Sequence, residues 1–244
     1  MDRGLSITWY DLPDNAEKGR DEYLSWLHGD YIPRVLARPG VLWAAHYATE
    51  TQPLYSGKKG RLTRTEDAAV PTGTQFMLLF GGVGPHAFVN PTTAHFHDTL
   101  PEVDKRLLAL RSGVRTNIMV EQARVIGPAA ERFPALAPCI QLGSFNSASY
   151  RDEDELADWY AQWYLASCAQ VPGCVRARKW VSVSGWAKHA VLFEFESLEA
   201  RNQNFVNHEA AHPERAAWTD RVVRRLIHAP GSPAVARRIW PVVT

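Results

Sequence analysis

The sequence contains one pattern twice. Residues 22–47 and residues 155–180 each combine an aromatic-rich helical stretch, a Pro-Gly turn and a strand, and the numbering offset between them is constant at 133. The offset aligns three pairs of aromatic residues: Trp26 with Trp159, Tyr31 with Tyr164, and Tyr47 with Trp180. A repeat of this kind predicts two copies of one structural unit in a single chain.

The two copies differ by one insertion. Beyond the second strand the offset falls to 114, where residues 75–82 align with residues 189–196. The difference between 133 and 114 is a 19-residue insertion in the first copy. It falls at about residues 49–73, a polar stretch for which we predict a hairpin extension or flap. The predicted domains are residues 1–132, with this insertion, and residues 133–244.

Each copy has the order strand, helix, strand, strand, helix, strand, which is typical of a ferredoxin-like unit. In the second copy, apolar residues recur at helical spacing: Leu156, Trp159, Tyr160, Trp163 and Tyr164. One unit alone would leave the apolar face of its sheet exposed. We therefore predict an α+β fold in which two ferredoxin-like repeats pack into one intramolecular barrel.

The first helix and turn carry a spaced motif of five residues: Trp26, Tyr31, Pro33, Pro39 and Gly40. This motif resembles the dimeric α+β barrel superfamily, in particular its EthD-like and antibiotic-biosynthesis-monooxygenase-like branches. The resemblance covers nearly the whole chain outside the insertion and implies a barrel that related proteins build from two chains. It implies less about activity, because one fold hosts many reactions. EthD-like sequences tend to have His where this chain has Tyr31, so no function that depends on that His is inferred for this chain.

The composition favours a small hydrophobic or aromatic ligand. The 27 Lys and Arg residues balance the 26 Asp and Glu residues, so the net charge of +1 provides no attraction for nucleic acid or an anionic membrane. Nine Trp, eight Tyr and nine Phe residues supply rings for a flat apolar ligand. The sequence has no phosphate-binding or nucleotide motif, so we expect no cofactor. A homodimer is compatible with these features.

The sequence also predicts a soluble, cytoplasmic protein. No signal-peptide pattern opens the chain, and no apolar run approaches the roughly 18 residues of a membrane span. The three cysteines, Cys139, Cys168 and Cys174, are odd in number and lack metal-binding spacing. We expect them to be reduced core residues.

Asp30 is the first candidate catalytic residue. The offset of 133 aligns it with Trp163, which places it on the predicted aromatic stripe of the first helix. A carboxylate on an apolar face has a raised pKa, which suits a general acid or base. Alternatively, Gly29 and Pro33 break the helix and turn Asp30 outward, where it caps the next turn or pairs with Arg34.

Other polar and aromatic residues of the first copy complete the predicted site. The predicted catalytic residues are Asp30, His28, His46 and Tyr31, and the predicted substrate-binding residues are Trp9, Tyr10, Trp26, His86 and His97. A neutral imidazole beside a carboxylate can relay a proton near neutral pH. We therefore expect one working pocket, in the first half, and a second pocket filled by its own side chains.

Two histidine motifs are weaker metal candidates. His95 and His97 share one face only in an extended strand, and a loop is expected there. Residues 208–212 match the zinc-protease pattern H-E-x-x-H, but Pro213 directly follows and should end the helix that this motif requires. We interpret the match as coincidence and predict no metal site.

The leading functional hypothesis is a cofactor-independent enzyme that acts on a hydrophobic or aromatic small molecule. General acid/base chemistry would serve a lyase, an isomerase or an oxygenase that reacts directly with oxygen. Two alternatives stay open. One is a haem-binding enzyme resembling chlorite-dismutase-like proteins, which also place two ferredoxin-like repeats in one chain and use a His as axial ligand. The other is a non-catalytic barrel that binds small molecules.

Overall fold

Eight strands close into one antiparallel barrel in the computed structural model, which describes residues 2–13, 17–50, 61–206 and 208–243. The described strands are β1 (Gly4–Asp11), β2 (Val41–Thr49), β3 (Thr63–Arg64), β4 (Phe76–Gly82), β5 (Ser112–Ile126), β6 (Cys139–Ser147), β7 (Cys174–Ser184), β8 (His189–Phe195), β9 (Leu226–His228) and β10 (Ala234–Trp240). Around the barrel the order is β10, β2, β4, β1, β5, β7, β8 and β6, and β6 pairs again with β10.

β5 and β10 join the two halves of the barrel, because each pairs with one strand of either half. The first part of β5 pairs with β1 and its last part pairs with β7, while β10 pairs with β6 and with β2. Closure leaves the barrel strands without an unpaired edge. The predicted α+β barrel within one chain is therefore confirmed. The domain boundary, the duplication itself and a homodimer stay predictions.

Helices lie against the outside of the barrel. The α-helices are α1 (Glu17–Trp26), α2 (Ile32–Leu36), α3 (Thr93–Asp98), α4 (Glu102–Leu108), α5 (Asp152–Trp159), α6 (Leu198–Ala200) and α7 (Pro213–Val223). Three π-helical turns (Leu27–Tyr31, Tyr160–Tyr164, Arg201–Phe205) and four 3₁₀ turns (Pro85–Phe88, Ala130–Arg132, Ala166–Gln170, His208–Ala211) complete them. Among the described helices, none has both the length and the apolar composition needed to cross a membrane.

Alternation along the strands separates an inner core from two outer layers. Successive side chains of a strand point to opposite faces of the sheet. Large inward side chains fill the barrel: Leu5, Ile7, Trp9, Tyr47, Met77, Leu79, Met119, Ile140, Leu142, Trp180 and Leu192. Outward side chains pack under the helices in two separate clusters, one in each half. The space between helix and barrel therefore occurs twice. The three cysteines are all buried and unpaired.

The two predicted Pro-Gly turns adopt the same backbone conformation. Gly40 has a φ of 83° and Gly173 has a φ of 80°, values that favour glycine because it lacks a Cβ atom. Each glycine comes directly before a strand, β2 in the first half and β7 in the second. The passage from helix to strand is thus alike in both halves.

The π-helical turn after α1 decides which side chains face the barrel. In a regular α-helix, Asp30 would lie on the same face as Trp26, four residues earlier. The wider turn instead brings Tyr31 beside Trp26, with ring centroids 5.3 Å apart, and leaves Asp30 exposed. The prediction that Asp30 lies on the apolar stripe is therefore wrong. The equivalent turn of the second half stacks Trp159 on Tyr164, with ring centroids 4.2 Å apart.

The described end of the predicted insertion belongs spatially to the second half. Residues 51–60 lie outside the described residues. The strand that follows, β3, pairs in parallel with β9, with Thr63 opposite Ile227 and Arg64 opposite His228. A segment of the first copy thus extends the sheet of the second.

Candidate functional site

Below α1, three of the predicted site residues form one hydrogen-bonded chain. The Tyr10 hydroxyl lies 2.8 Å from Nε2 of His46, and Nδ1 of His46 lies 2.9 Å from Nε2 of His28. Burial lowers the pKa of His46 well below its ordinary value and also lowers the pKa of His28. Both rings are therefore neutral near neutral pH, and His46 can accept from the tyrosine hydroxyl and donate to His28.

Arg111, which the sequence reasoning missed, fills the space beside this chain. Its guanidinium carbon lies 4.7, 5.5 and 5.4 Å from the ring centroids of Tyr10, Tyr23 and Tyr31. Its Nε donates to the Tyr23 hydroxyl at 2.5 Å, and its Nη2 is buried without a hydrogen-bond partner among the described residues. The ring contacts offset part of the cost of burying this cation. The offset of 114 aligns Arg111 with another arginine, Arg225, so comparing the two halves of the sequence does not mark Arg111 as unusual.

Three further predicted residues lie in the same layer. The Tyr31 hydroxyl is hydrogen-bonded to Nε2 of His97 at 2.8 Å, and burial lowers the pKa of His97 to about 4. The indole nitrogen of Trp26 donates to Asp104 at 3.0 Å, and Arg34 also pairs with Asp104. Arg34 is thus held by a carboxylate other than the one the sequence suggested.

Three predicted residues do not join this cluster. Asp30 is exposed on the π-helical turn, and His86 is exposed in the 3₁₀ turn after β4. Trp9 points into the barrel, because its neighbour Tyr10 on the same strand points outward to the helices. These three residues therefore lie outside the hydrogen-bonded cluster of His46, and their predicted roles stay predictions.

The second half contains a cleft between α5 and the outer face of β6 and β8. It encloses a cavity of about 70 Å³ within about 600 Å³ of empty space, counting the part that is open to solvent. Its lining residues are Arg61, Leu62, Gln141, Gly143, Trp159, Tyr160, Tyr164, Val191, Phe193, Glu209, Val223, Leu226, His228 and Pro233. The expectation that the second pocket is filled by its own side chains is therefore wrong.

Two differences between the halves accompany this open cleft. The offset of 133 aligns Gly143 with Tyr10, so Gly143 contributes no side chain where Tyr10 fills the first half. The offset of 114 aligns Arg225 with Arg111, but Arg225 turns to the surface. There it donates to Asp152 at 2.9 Å and to a second carboxylate of α5 at 3.1 Å. The second half thus lacks both side chains that close the first.

His228 is the titratable group at the cleft wall with the clearest proton arrangement. Its Nδ1 lies 3.3 Å from the carbonyl oxygen of Thr63, so Nδ1 carries the proton and donates. Burial lowers the pKa of His228 to about 4, which makes the ring neutral near neutral pH. Nε2 is then an unprotonated acceptor, with no hydrogen-bond partner among the described residues. Nothing in the local sequence pattern around His228 marks it as a functional residue.

The rim of the cleft carries an ion pair that links the two halves of the chain. Nη1 of Arg61, from the insertion, lies 3.0 Å from Oε2 of Glu209, and its Nε lies 3.6 Å from Asp220. The backbone N–H of Thr65 donates to the carbonyl oxygen of His228 at 2.9 Å. The insertion therefore completes one edge of a site that belongs to the other half.

A second chain of titratable groups lies beside the cleft. Nζ of Lys179 lies 2.8 Å from Nδ1 of His189, and Nε2 of His189 lies 2.8 Å from Oε2 of Glu153. Lys179 aligns with His46 in the repeat and lies 5.4 Å from the ring centroid of Tyr160, which lines the cleft. Burial lowers the pKa of Lys179 to about 7 and that of His189 to about 4. Near neutral pH, Lys179 therefore exchanges its proton readily.

The two histidine motifs do not assemble a metal site. His95 and His97 lie on α3, so the H-x-H spacing directs them to different sides. In the H-E-x-x-H segment, His208 stacks on Phe205 at 4.5 Å, and Pro213 begins a new helix. Within the described ranges, no group of three His, Cys, Asp or Glu residues is placed to hold a metal ion.

The fold has relatives among solved structures. An anthrone oxidase-like protein matches with a TM-score of 0.58 at 13% identity, over 98% of this chain and 92% of that chain. A candidate monooxygenase from Fusobacterium nucleatum subsp. nucleatum matches with a TM-score of 0.57 at 10% identity, over 98% and 93% of the two chains. A chlorite dismutase from Candidatus Nitrospira defluvii matches with a TM-score of 0.51 at 10% identity, over 96% and 90%.

Sequence comparison adds no closer relationship. No protein-family model matches the chain, and no curated protein matches it significantly. At identities of 10–13%, structural likeness shows the fold alone. The chain therefore has the dimeric α+β barrel fold, closed within a single polypeptide.

Proposed function

We propose that this protein is an enzyme that binds a hydrophobic or aromatic small molecule in the second-half cleft and removes a proton from it with His228. One observation carries the proposal: a neutral histidine at the cleft wall has one nitrogen tied to the Thr63 carbonyl and the other available as an acceptor. This arrangement fixes the tautomer that a general base needs.

The walls of the cleft suit a flat ligand. One wall presents the rings of Trp159, Tyr160 and Tyr164, and the other presents Val191 and Phe193 from the barrel. Apolar and aromatic walls with few polar groups are typical of small-molecule sites. Structural neighbours named for oxidase, monooxygenase and chlorite dismutase activity support an enzymatic role.

The proposed chemistry is proton abstraction without a cofactor. Nε2 of His228 takes a proton from an activated C–H or O–H group, and the anion that forms lies near the positive guanidinium of Arg61 at the rim. The anion then rearranges, eliminates a leaving group or reacts directly with oxygen. Arg61 already pairs with Glu209 and Asp220, so the anion would share its guanidinium with these two carboxylates.

A haem-binding function is the second candidate, because it rests on the same histidine. An iron-bound histidine usually donates its other ring N–H to a carbonyl or carboxylate, as His228 does to Thr63. His228 would be the residue that holds the iron, and the rings of Trp159, Tyr160 and Tyr164 would contact the haem. Haem would supply redox chemistry at the iron.

Anthrone is a suitable test compound, because it is a flat three-ring carbon acid. Loss of a proton from its methylene carbon gives an enolate, and oxygen converts this to anthraquinone with release of one water. We expect the purified protein to accelerate the formation of anthraquinone, which chromatography measures over time. His228→Gln should reduce the rate by about 10²–10⁴. The matched control, His86→Gln, changes an exposed histidine and should retain the wild-type rate.

Two results would overturn the proposal. An equal rate for His228→Gln and the wild type would exclude His228 as the base. A Soret band in the active protein, lost together with activity when haem is extracted, would replace the cofactor-free mechanism with the haem candidate.

A further inference from the structure

One end of the barrel holds a second cavity, separate from the cleft. It has a volume of about 280 Å³, within about 690 Å³ of empty space that includes its open mouth. The lining residues are Asp2, Leu42, Trp43, Arg124, Pro134, Ala135, Leu136, Arg176, Arg178 and Glu194. Three arginines therefore meet apolar side chains around one void.

The Asp2 side chain is held at the mouth of this cavity as a bound carboxylate would be. Its Oδ1 accepts from Nη2 of Arg124 at 3.0 Å. Its Oδ2 accepts from Nη1 of Arg178 and from the indole nitrogen of Trp43, both at 2.9 Å. Three donors from three strands thus converge on one carboxylate. Burial acts to raise the pKa of Asp2, but the charges of Arg178 and Arg124 and the hydrogen bonds from Trp43 and Arg124 lower it to about 2.

These donors are built into the barrel rather than the surface. Arg178 has only 3% of its side chain exposed, and Glu121 holds it through Nε at 2.7 Å. Glu121 also binds Arg124 at 2.7 Å. The neighbouring Arg176 makes a two-point contact with Glu194, with both distances 2.9 Å. The guanidinium groups therefore stay in position when Asp2 moves.

Charge balance shows what the site would attract without Asp2. The three arginines then face two carboxylates, Glu121 and Glu194, which leaves one uncompensated positive charge beside an apolar void. Partly buried guanidinium groups bind carboxylates strongly through paired hydrogen bonds. The void next to the charge can hold the apolar body of the same molecule.

We propose that the barrel-end cavity is a binding site for a small organic carboxylate, and that Asp2 occupies its acid-binding position as a tethered competitor. The ligand carboxylate replaces that of Asp2 on Arg124, Arg178 and Trp43, and its apolar part lies against Leu42 and Leu136. A tethered group competes at a high effective concentration, so the wild-type protein binds the free carboxylate more weakly than a protein without Asp2.

Benzoate is the probe for this site, and isothermal titration measures its binding. Asp2→Ala should bind one benzoate per chain at least about tenfold more tightly than the wild type. Benzyl alcohol has the same ring without the charge and should show no such gain. Asp21→Ala removes an exposed carboxylate elsewhere and should bind benzoate like the wild type. Trp43→Phe in the Asp2→Ala background should weaken binding, which assigns the site to this cavity.

A measurement on the wild-type protein covers the case in which Asp2→Ala does not fold. Displacement of Asp2 should loosen the segment before β1, so saturating benzoate should accelerate amide hydrogen exchange at Arg3, whose N–H donates to Gly82. The proposal is wrong if Asp2→Ala binds no more tightly than the wild type, or if benzyl alcohol gains equally. It is also wrong if benzoate leaves exchange at Arg3 unchanged.

Discussion

The two halves of the barrel use the same layer differently. In the first half, Tyr10 and Arg111 fill the space between helix and barrel. In the second half, Gly143 and the outward turn of Arg225 leave a cleft. The same layer between helix and barrel is therefore filled by side chains in the first half and open in the second.

The titratable group at the position of His46 also differs between the halves. His46 and Lys179 are aligned by the offset of 133, and each lies in a chain of three polar groups under the first helix of its half. Imidazole loses its proton at lower pH than an amine, so the two halves respond to pH in different ranges. The position is therefore suited to proton exchange in both halves, and in the second half the cleft lies beside it.

The largest expected effect comes from closing the cleft as the first half is closed. Gly143→Tyr places a ring where Tyr10 lies in the first half, so binding of anthrone, measured by fluorescence quenching, should weaken by at least about 1,000-fold. Gly143→Ala is the matched control. Its added Cβ would meet a methyl group of Val191 at 3.3 Å and no other atom closer than 3.9 Å, so binding should change little. Unchanged affinity in Gly143→Tyr would place the ligand elsewhere.

The reverse change should open the first half. Arg111→Ala removes a buried side chain that packs on three tyrosine rings, and the cavity should lower the free energy of unfolding by about 3–4 kcal/mol. A small aromatic compound such as indole should restore part of that loss in thermal unfolding. The aligned Arg225→Ala removes only partly exposed ion pairs and should cost less than about 1 kcal/mol. Equal losses in the two variants would mean that Arg111 does not fill the layer.

The pH dependence of stability should distinguish Lys179 from His46. Lys179 ionises at its ordinary pKa of 10.5 when unfolded and at about 7 when folded. The wild type should therefore lose stability relative to Lys179→Met as the pH falls from about 10 to about 7, by about 2 kcal/mol after local relaxation. Burial lowers the pKa of His46 below its ordinary value of 6.5. The wild type should therefore lose stability relative to His46→Gln only at acidic pH. Urea unfolding at a series of pH values measures both losses of stability. If the two losses occurred over the same pH range, the lowered pKa values of Lys179 and His46 could not be their separate causes.

Repetition and periodicity were sufficient to predict the barrel, because each half has an apolar sheet face that only the other half covers. The same patterns predicted that His28, His46 and Tyr10 lie close together. They did not predict the residues whose position depends on distant parts of the chain. His228 becomes a candidate base only through its contact with Thr63, which lies 165 residues earlier. Arg61 reaches the cleft because the insertion crosses to the other half, and no local pattern reports such a contact.

Asp30 should show the smallest effect. The aligned residue, Trp163, is buried against the ring of His212 at 4.6 Å, whereas the π-helical turn directs Asp30 to solvent. Asp30 is an exposed carboxylate with no ion pair among the described residues, so Asp30→Asn should change the free energy of unfolding by less than about 0.5 kcal/mol. Because Asp30 touches neither the Tyr10–His46 chain nor the cleft, the anthrone rate should also stay at the wild-type value. A rate that falls by orders of magnitude with stability unchanged would show that Asp30 turns inward when ligand binds, and would return the working site to the first half.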